Sequence, residues 1–380
     1  METKYPFLNL GPVNAPYMDE MTAAAERVIR SGRYIGGPEC ERLEKRLAQL
    51  TGATYAIGVS NGLDALRLIL RAYIELGFMS PGDEIIVPAN TFIASVLAIS
   101  DAGLRPVLVE PDTRTSNLDT AKALRAITPR TRGVMPVHFY GRVCWDENLI
   151  VLARNHNLVI VEDNAQAIGA RARIAGLGGS NVAGALGHAG AFSFYPTKNI
   201  GALGDAGAIT TSNSELATAV RAIANYGSDH RYHNIYQGLN CRLDPMQAAI
   251  LDVKLDHLEQ ESQRRRKLAQ TYISHIGNPE VRLPEDEGQS CVWHQFVVHV
   301  KDRKRFTEYL DQNSVGWDIH YAVPPHLQPC YQGKYACSLI IPEPLRITEQ
   351  LASQCVSLPI SSCTTPDDAR AIAEIINRFE

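Results

Sequence analysis

The sequence predicts a three-layer α/β domain with a mainly parallel sheet of seven strands, followed by a smaller α+β domain. Short β-branched apolar runs alternate with helical stretches between Tyr55 and Thr211, and repeated βα units of this kind build a parallel sheet with helices on both faces. The first five runs are apolar almost throughout, which is typical of strands buried on both faces. They are Tyr55–Val59, Glu84–Val87, Pro106–Val109, Gly133–Val137 and Leu158–Val161.

Two more strands of this sheet are expected after Asn181, where the pattern changes. The pieces Ala191–Phe194 and Ala206–Thr211 are short and rich in glycine, which is more typical of hairpin strands than of crossover units. Helical periodicity fills the earlier gaps, for example over Asp64–Ile74 and Ala94–Ala102. The helices are therefore expected to cover both faces of the sheet.

The N-terminal segment is expected to pack as a helical arm on the large domain. Its first helix ends near Ser31 and Gly32. The second helix, Glu39–Leu50, has Pro38 in its first turn and Gly52 beyond its end, the usual positions of these residues.

A smaller domain is predicted after a long helical stretch from Leu243 to His275. Within that stretch, the charged run Gln263–Lys267 is expected to form a solvated helix face. The chain is divided into an arm and large domain, 1–252, and a small domain, 253–380. The small domain is expected to contain a strand, Val292–Val300, and two helices, Lys304–Asn313 and Pro366–Phe379.

The composition is that of an ordinary globular protein. The chain has 380 residues, of which 45% are apolar and 21% charged, and its net charge is −4. These values exclude disulfide scaffolds, collagen-like repeats and disordered chains. The slight acidic excess argues against nucleic acid as a partner, since duplex binding requires many cationic contacts to phosphate. A small anion could still bind in a local pocket.

Neither a metal site nor a membrane segment is expected. The eight cysteines form no C-x-x-C pair and no Cys/His cluster of metal spacing, so we expect reduced thiols. The N-terminus is too polar for a secretory signal, and no window approaches the roughly 18 apolar residues of a membrane span. A cytoplasmic location is the expectation. The cysteines are Cys40, Cys144, Cys241, Cys291, Cys330, Cys337, Cys355 and Cys363.

The strongest local signal of chemistry is Lys198, which lies in the segment AFSFYPTKNIG. Desolvation in an aromatic turn lowers the pKa of a lysine and favours the nucleophilic amine, which suits a Schiff base. The alternative is a surface lysine whose stem lies over neighbouring aromatic rings.

Asp163 provides a second signal because it closes a predicted strand within EDNAQA. In open α/β sheets, ligands collect at the carboxyl ends of strands, where an Asp can pair with a protonated ring nitrogen. The alternative role for Asp163 is a helix N-cap.

A third signal is the turn SNGLDA, which follows a strand and opens a helix. Gly62 lets the backbone approach an anion, and the free N–H groups of the helix start favour phosphate. The alternative is a plain connection between two elements. Neither G-x-G-x-x-G nor G-x-x-x-x-G-K-[ST] is present, which argues against a nicotinamide dehydrogenase and an ATP-binding protein.

A phosphate cradle, an Asp for a ring nitrogen and a later lysine are the parts that pyridoxal 5′-phosphate (PLP) requires. In this chain order they resemble fold type I PLP enzymes. Four motifs are similar to those of the DegT/DnrJ/EryC1/StrS sugar aminotransferases, and the resemblance runs from Pro6 to the final helix. The motifs are Pro88–Phe92 (PANTF), Glu162–Gln166 (EDNAQ), Ser193–Asn199 (SFYPTKN) and Gly238–Asp244 (GLNCRLD).

The resemblance implies PLP as cofactor and a role for each of four residues around its ring. Lys198 would form the Schiff base, and Asp163 would keep the ring nitrogen protonated so that the ring can accept electrons. Gln166 would hydrogen-bond the phenolic oxygen. Phe92 would stack on the ring, since an aromatic face covers a flat apolar surface.

The resemblance also implies how the cofactor phosphate is held. The backbone amides of Gly62 and Leu63 and the Ser193 hydroxyl would bind it within one chain. Asn240 would reach it from the neighbouring subunit, which implies a homodimer with shared active sites.

The turn Asn61–Leu66 resembles the branch of the family that aminates C3. The implied reaction converts a dTDP-3-keto-6-deoxyhexose to a dTDP-3-amino-3,6-dideoxyhexose with L-glutamate as donor, for O-antigen, S-layer or antibiotic sugars. Tyr195, His320 and Tyr321 would contact the hexose or pyrophosphate, although His320 could instead be a core histidine with its hydrogen bonds satisfied.

Two alternatives to this function stay open. One is a C4 aminotransferase acting on a nucleotide-linked 4-keto-6-deoxyhexose. The other is a non-catalytic regulatory protein with the same fold. Family dehydratases have His at the lysine position, so Lys198 favours transamination over dehydration. Cys241 and Ala206 depart from the usual Ser and Gly, and neither change touches the chemistry.

Overall fold

The computed structural model describes residues 3–333 and 338–380. In these ranges it has twelve strands: β1 (Tyr55–Val59), β2 (Glu84–Pro88), β3 (Arg105–Val109), β4 (Thr131–Val134), β5 (Val159–Asp163), β6 (Ala189–Ser193), β7 (Gly207–Thr211), β8 (Ser228–His230), β9 (His233–Asn234), β10 (Val281–Arg282), β11 (Phe296–Val300) and β12 (Cys355–Leu358).

The described ranges also contain thirteen α-helices: α1 (Leu10–Asn14), α2 (Met18–Ser31), α3 (Pro38–Thr51), α4 (Gly62–Glu75), α5 (Ile93–Asp101), α6 (Thr120–Arg125), α7 (Glu147–Asn155), α8 (Ser214–Ala224), α9 (Pro245–Asp256), α10 (Leu258–His275), α11 (Arg303–Gln312), α12 (Arg346–Gln354) and α13 (Pro366–Ile376).

The large sheet has seven strands in the order β1-β7-β6-β5-β4-β2-β3. The neighbours from β6 to β3 are parallel, and β7 is antiparallel to both β1 and β6. The mainly parallel seven-stranded sheet is therefore confirmed. Because β1, β5 and β6 point the same way, the residues that follow them meet at one edge of the sheet.

The predicted strand ends differ from the structure by a few residues. The fourth strand was expected at Gly133–Val137 but is β4, Thr131–Val134. Pro136 has no N–H to donate to the ladder, so the regular strand ends before it, although the Pro136 carbonyl still accepts from the Asp163 N–H at 3.0 Å. In the small domain, the strand expected from Val292 begins only at Phe296, since Trp293 has a φ of 51° that interrupts extended backbone.

Helices cover both faces of this sheet, as predicted. Leu66 and Ile69 of α4 belong to a core cluster that also contains Val87 of β2 and Val220 of α8. On the opposite face, Leu43 of α3 packs in a cluster with residues of β6 and α9. Asp163 and Ser193 are the last residues of β5 and β6, so both lie at the carboxyl edge of the sheet.

The N-terminal arm joins both domains. Helices α2 and α3 pack against α9, and they end at Gly32 and Gly52, whose φ values of 67° and 79° suit glycine. The residues before α1 extend to the small domain, where Tyr5 pairs with Val315 and is buried in its core.

The small domain contains an antiparallel sheet, β10-β11-β12, covered by α10, α11 and α13. The long predicted helix is two helices, which meet at His257: α9 packs on the arm and α10 on α13. The division at residue 252 stays a prediction, and this change of packing partner at His257 supports a boundary a few residues later.

One expectation about α10 is wrong. The run Gln263–Lys267 is not a uniformly solvated face, because Arg265 is buried. Its guanidinium donates to the backbone carbonyls of Trp293 and Ile360, at 3.2 and 2.7 Å. Burial lowers the pKa of Arg265 to about 10. The side chain thus ties α10 to the loops around β11 and β12.

In the described part of the chain, seven cysteines are free thiols, and Cys337 lies outside that part. No described helix has both the length and the apolarity needed to cross a membrane. Three exposed side chains, Asp229, His230 and His233, place possible ligand atoms close together. Both imidazoles contact the same Asp229 oxygen, at 2.8 and 2.7 Å.

Candidate active site

A cleft of about 420 Å³ opens at the carboxyl edge of the large sheet, where residues of the small domain form part of its wall. The cleft brings together ten of the eleven residues predicted for the site. They are Gly62, Leu63, Phe92, Asp163, Gln166, Ser193, Tyr195, Lys198, His320 and Tyr321. The eleventh, Asn240, is exposed and does not line this cleft.

Lys198 lies in a turn after β6, and its backbone N–H donates to the carbonyl of Tyr195 at 2.8 Å. The residue as a whole is only part-buried because the cleft is open, but protein atoms surround its amine. Burial lowers the pKa of Lys198 to about 8, and the negative charge of Asp163 opposes this shift. At neutral pH a substantial fraction of the amine is therefore unprotonated and nucleophilic.

Asp163 is the last residue of β5 and is buried. Its carboxylate accepts hydrogen bonds from the Ser95 hydroxyl at 2.7 Å and from the backbone N–H of Ala165 at 3.1 Å. Ser95 also contacts the Thr91 hydroxyl at 2.8 Å. The alternative role as a helix N-cap is wrong, because residues 164–188 contain turns and no helix.

Glu162 was missed by the sequence analysis, although it is adjacent to Asp163. Strand alternation turns the two carboxylates to opposite faces of the sheet. Glu162 is fully buried, accepts N–H groups from Gly184, Leu186 and Gly187 at 2.9 Å each, and contacts His138 at 2.9 Å. These hydrogen bonds therefore connect β5 to the loop before β6.

The turn between β1 and α4 faces Ser193 across the cleft floor. Asn61 caps α4 and accepts from the backbone N–H of Asp64 at 2.8 Å. A Cβ on Gly62 would lie 2.6 Å from the Cβ of Ser193, closer than packed atoms approach. Glycine at this position therefore keeps the helix N-terminus open toward the Ser193 hydroxyl.

Gln166 is fixed by two neighbours, one of which was not predicted. Its side-chain oxygen accepts from the backbone N–H of Tyr140 at 2.6 Å, and its side-chain nitrogen donates to the Tyr321 hydroxyl at 3.1 Å. The rings of Phe92 and Tyr321 are 4.9 Å apart between centroids. Tyr140 has a φ of 60°, and no sequence signal marked this conformation.

Two histidines line the cleft. His320 contacts the Ser357 hydroxyl at 2.8 Å, and burial lowers the pKa of His320 while the charge of Asp318 opposes the shift. His294 was missed; it is buried, contacts the Asn199 side-chain oxygen at 3.2 Å, and has a pKa well below its ordinary value because of burial and the charge of Lys198. The position of His294 depends on a contact between distant segments, which no local motif reveals.

Comparison with known proteins found several that are similar to this chain. A model of the DegT/DnrJ/EryC1/StrS aminotransferase family matches residues 17–377. The chain is 46% identical to the dTDP-3-amino-3,6-dideoxy-alpha-D-galactopyranose transaminase of Aneurinibacillus thermoaerophilus, over 98% of this chain and 99% of the relative.

Two crystal structures are also similar. One is DesV of S. venezuelae in complex with a ketimine intermediate, at 42% identity and a TM-score of 0.91, covering 98% of this chain and 97% of the other. The second is NtdA of Bacillus subtilis with bound cofactor PMP, at 30% identity and a TM-score of 0.87, covering 99% and 85%. The resemblance seen in the four motifs is thus confirmed, and the chain belongs to the DegT/DnrJ/EryC1/StrS aminotransferase family.

Proposed function

We propose that this chain transaminates C3 of a dTDP-3-keto-6-deoxyhexose, with L-glutamate as the amino donor and pyridoxal 5′-phosphate as the cofactor. The chain is an aminotransferase by family. Its similarity to a dTDP-3-amino-3,6-dideoxyhexose transaminase over nearly the full length of both chains supports the substrate class. The observation that carries the proposal is the buried Lys198 amine beside the Asp163 carboxylate in one cleft.

The residues of the cleft fit this cofactor. Gly62 leaves a space at the start of α4 that any side chain would fill, and free N–H groups of a helix start suit a phosphate. Ser193 adds a hydroxyl at the same place. Phe92 offers an aromatic face, and Asp163 offers a carboxylate already held by two donors. When bound, PLP supplies an electron-accepting ring that stabilises the carbanion at the reacting carbon.

Each reactive residue has a role that its surroundings support. Lys198, with a pKa near 8, can exchange a proton at the reacting carbon close to neutral pH. Asp163, oriented by hydrogen bonds from Ser95 and Ala165, can pair with a protonated ring nitrogen. Gln166 donates only one side-chain N–H to Tyr321, so its second N–H can reach a phenolic oxygen.

The sugar is placed at the mouth of the cleft. Tyr195 is 52% exposed there, and His320 and Tyr321 come from the small domain on the opposite wall. Their hydroxyl and imidazole groups can hydrogen-bond hexose hydroxyls without adding fixed charge. His320 is proposed to act as neutral imidazole, since burial lowers its pKa.

The proposal includes a homodimer in which Asn240 enters the partner's site. Asn240 is exposed and does not line its own chain's cleft. Phe92, which lines the cleft, is 48% exposed, and a partner subunit would cover this apolar surface. We also place the enzyme in the cytoplasm, where it would supply sugars for O-antigen, S-layer or antibiotic synthesis.

The decisive experiment incubates the enzyme with glutamate and a panel of dTDP- and UDP-linked 3-keto and 4-keto 6-deoxyhexoses. We expect turnover of the dTDP-3-keto sugar, with the amine located at C3 by NMR. An amine at C4 would replace the proposal with the C4 alternative. Absence of transamination with every sugar would favour the non-catalytic alternative.

The role of Lys198 is tested with Lys198→Arg, and Lys304→Arg serves as the matched control because its side chain is 86% exposed and far from the cleft. Wild type and control should be yellow when purified with cofactor and should lose the colour with borohydride. Lys198→Arg should lack this yellow colour and should be inactive. Retention of both properties would exclude Lys198 as the reactive lysine.

Shared sites are tested by mixing two inactive variants, Lys198→Ala and Asn240→Ala. After subunit exchange, half of the dimers are mixed, and each mixed dimer has one intact site, so activity should return to about a quarter of wild type. No recovery in a mixture that light scattering shows to be exchanged would place Asn240 outside the partner's site.

A further inference from the structure

Two buried hydroxyl groups, those of Thr91 and Ser95, are connected to Asp163 by hydrogen bonds. Thr91 is 2% exposed and Ser95 is fully buried. Ser95 lies in the first turn of α5, and Thr91 comes two residues before that helix begins. The start of α5 therefore places two hydroxyls in a row beside the carboxylate at the end of β5.

This hydroxyl chain has one direction. The Ser95 hydroxyl donates to Oδ2 of Asp163 at 2.7 Å, and the hydroxyl oxygens of Ser95 and Thr91 are 2.8 Å apart. A serine hydroxyl carries a single proton. Because Ser95 gives that proton to Asp163, Thr91 is the donor in the second contact. Both hydroxyls therefore direct their protons toward the carboxylate.

The Asp163 carboxylate is held at both of its oxygens. Oδ2 accepts from Ser95, and Oδ1 accepts from the backbone N–H of Ala165 at 3.1 Å. One donor on each oxygen fixes the rotation of the carboxylate about its Cβ–Cγ bond. Asp163 lines the active-site cleft together with Thr91 and Lys198. The hydroxyl chain thus sets the orientation of a carboxylate that borders the cleft.

A donor on a carboxylate also affects a proton that the carboxylate shares with another group. Hydrogen bonds donated to a carboxylate favour its ionised form over its protonated form. When the second group is a ring nitrogen, such a donor therefore favours the arrangement with the proton on nitrogen. Hydroxyls in a chain polarise one another, so the Thr91 hydroxyl strengthens the bond that Ser95 donates.

We propose that Ser95 and Thr91 are positioning residues whose hydroxyl chain keeps the shared proton on the ring nitrogen of PLP. This inference rests on the proposed role of Asp163 as the partner of that nitrogen. Ser95 acts through Asp163, and Thr91 acts through Ser95. The neighbouring Phe92 is proposed to offer its aromatic face to the same ring. One short segment, residues 91–95, would then support the ring at both its face and its nitrogen.

The test is nitrogen NMR of the enzyme loaded with PLP that is isotopically labelled at its ring nitrogen. The chemical shift of this nucleus reports whether the nitrogen is protonated. Asp163→Asn provides the reference for a ring nitrogen without a carboxylate partner. We expect Ser95→Ala to move the shift from the wild-type value toward that of Asp163→Asn. Thr91→Val should move it less in the same direction, and Thr91→Ser, which keeps the hydroxyl, should retain the wild-type value.

Ser100→Ala is the matched control. Ser100 lies on the same helix, and its hydroxyl contacts the Tyr331 hydroxyl at 2.9 Å. The ring-nitrogen shift and the PLP affinity of Ser100→Ala should equal those of wild type. In Ser95→Ala the PLP affinity should fall about tenfold through the loss of one buried hydrogen bond.

An unchanged ring-nitrogen shift in Ser95→Ala, or an equal change in Ser100→Ala, would overturn the proposal. If Ser95→Ala does not fold, the comparison of Thr91→Val with Thr91→Ser decides by the same measurement. Failure of the proposed function gives a different result: wild type would bind no PLP, or Asp163→Asn would leave the shift unchanged, and the role of the hydroxyl chain would be lost with it. Since no sugar is added, the outcome is independent of the substrate.

Discussion

The pKa of Lys198 can be tested directly in the protein from which the cofactor has been removed. Burial lowers this pKa from 10.5 to about 8. At pH 7.5 a lysine with a pKa of 8 is about 24% neutral, whereas one with a pKa of 10.5 is about 0.1% neutral, a difference of roughly 240-fold. Competitive labelling with acetic anhydride, read by mass spectrometry, measures the neutral fraction at each pH. We expect Lys198 labelling to reach half of its maximum near pH 8.

The variant Asp163→Asn tests the opposing electrostatic contribution. Asp163 raises the pKa of Lys198, so its neutralisation should move the labelling midpoint to lower pH. Lys254 is the internal control, because burial alone lowers its pKa to about 8, and its midpoint should not move. The reasoning fails if Lys198 titrates near 10.5, if Asp163→Asn raises its midpoint, or if Lys254 shifts by the same amount.

Two further variants test the frame of the site. Gly62→Ala should weaken cofactor affinity about tenfold or more in a fluorescence titration with PLP, because its Cβ would lie 2.6 Å from the Cβ of Ser193. Gly178→Ala is the control, since its Cβ would meet nothing within 4 Å, and it should bind PLP normally. Glu162→Gln should lower the free energy of unfolding by about 3 kcal/mol, because its side-chain NH2 group would face the N–H of His138. An unchanged midpoint of unfolding in urea would contradict this expectation.

Local sequence predicted the parts of the fold that depend on local chemistry. Apolar runs predicted the first five strands of the large sheet, because burial on both faces gives a continuous apolar stretch, and short glycine-rich pieces predicted the last two. Asp163 stood out because it ends a strand and Lys198 because it lies in an aromatic turn, and the sheet topology brings both to one cleft. The family resemblance added Gln166 and Tyr321, which no periodicity marks.

The features that sequence reasoning missed depend on contacts between distant segments. Arg265 sits in a charged run that reads as solvated, and its burial results from backbone carbonyls far along the chain. His294 and Trp293 occupy the approach to β11, where a positive φ at Trp293 interrupts the expected strand. Such a conformation is imposed by tertiary packing, so local propensity does not indicate it.

The antiparallel strand β7 has a consequence for engineering the enzyme. It enters the sheet between β1 and β6 at Gly207, where a Cβ would lie 2.5 Å from the backbone of Asn61. Gly207 and Gly62 thus border the same turn, and neither position can be enlarged without displacing it. Libraries that aim to change the accepted sugar should leave these two glycines fixed. The variable position belongs at His320 in the small domain, whereas Tyr321 should also stay fixed because its hydroxyl holds Gln166.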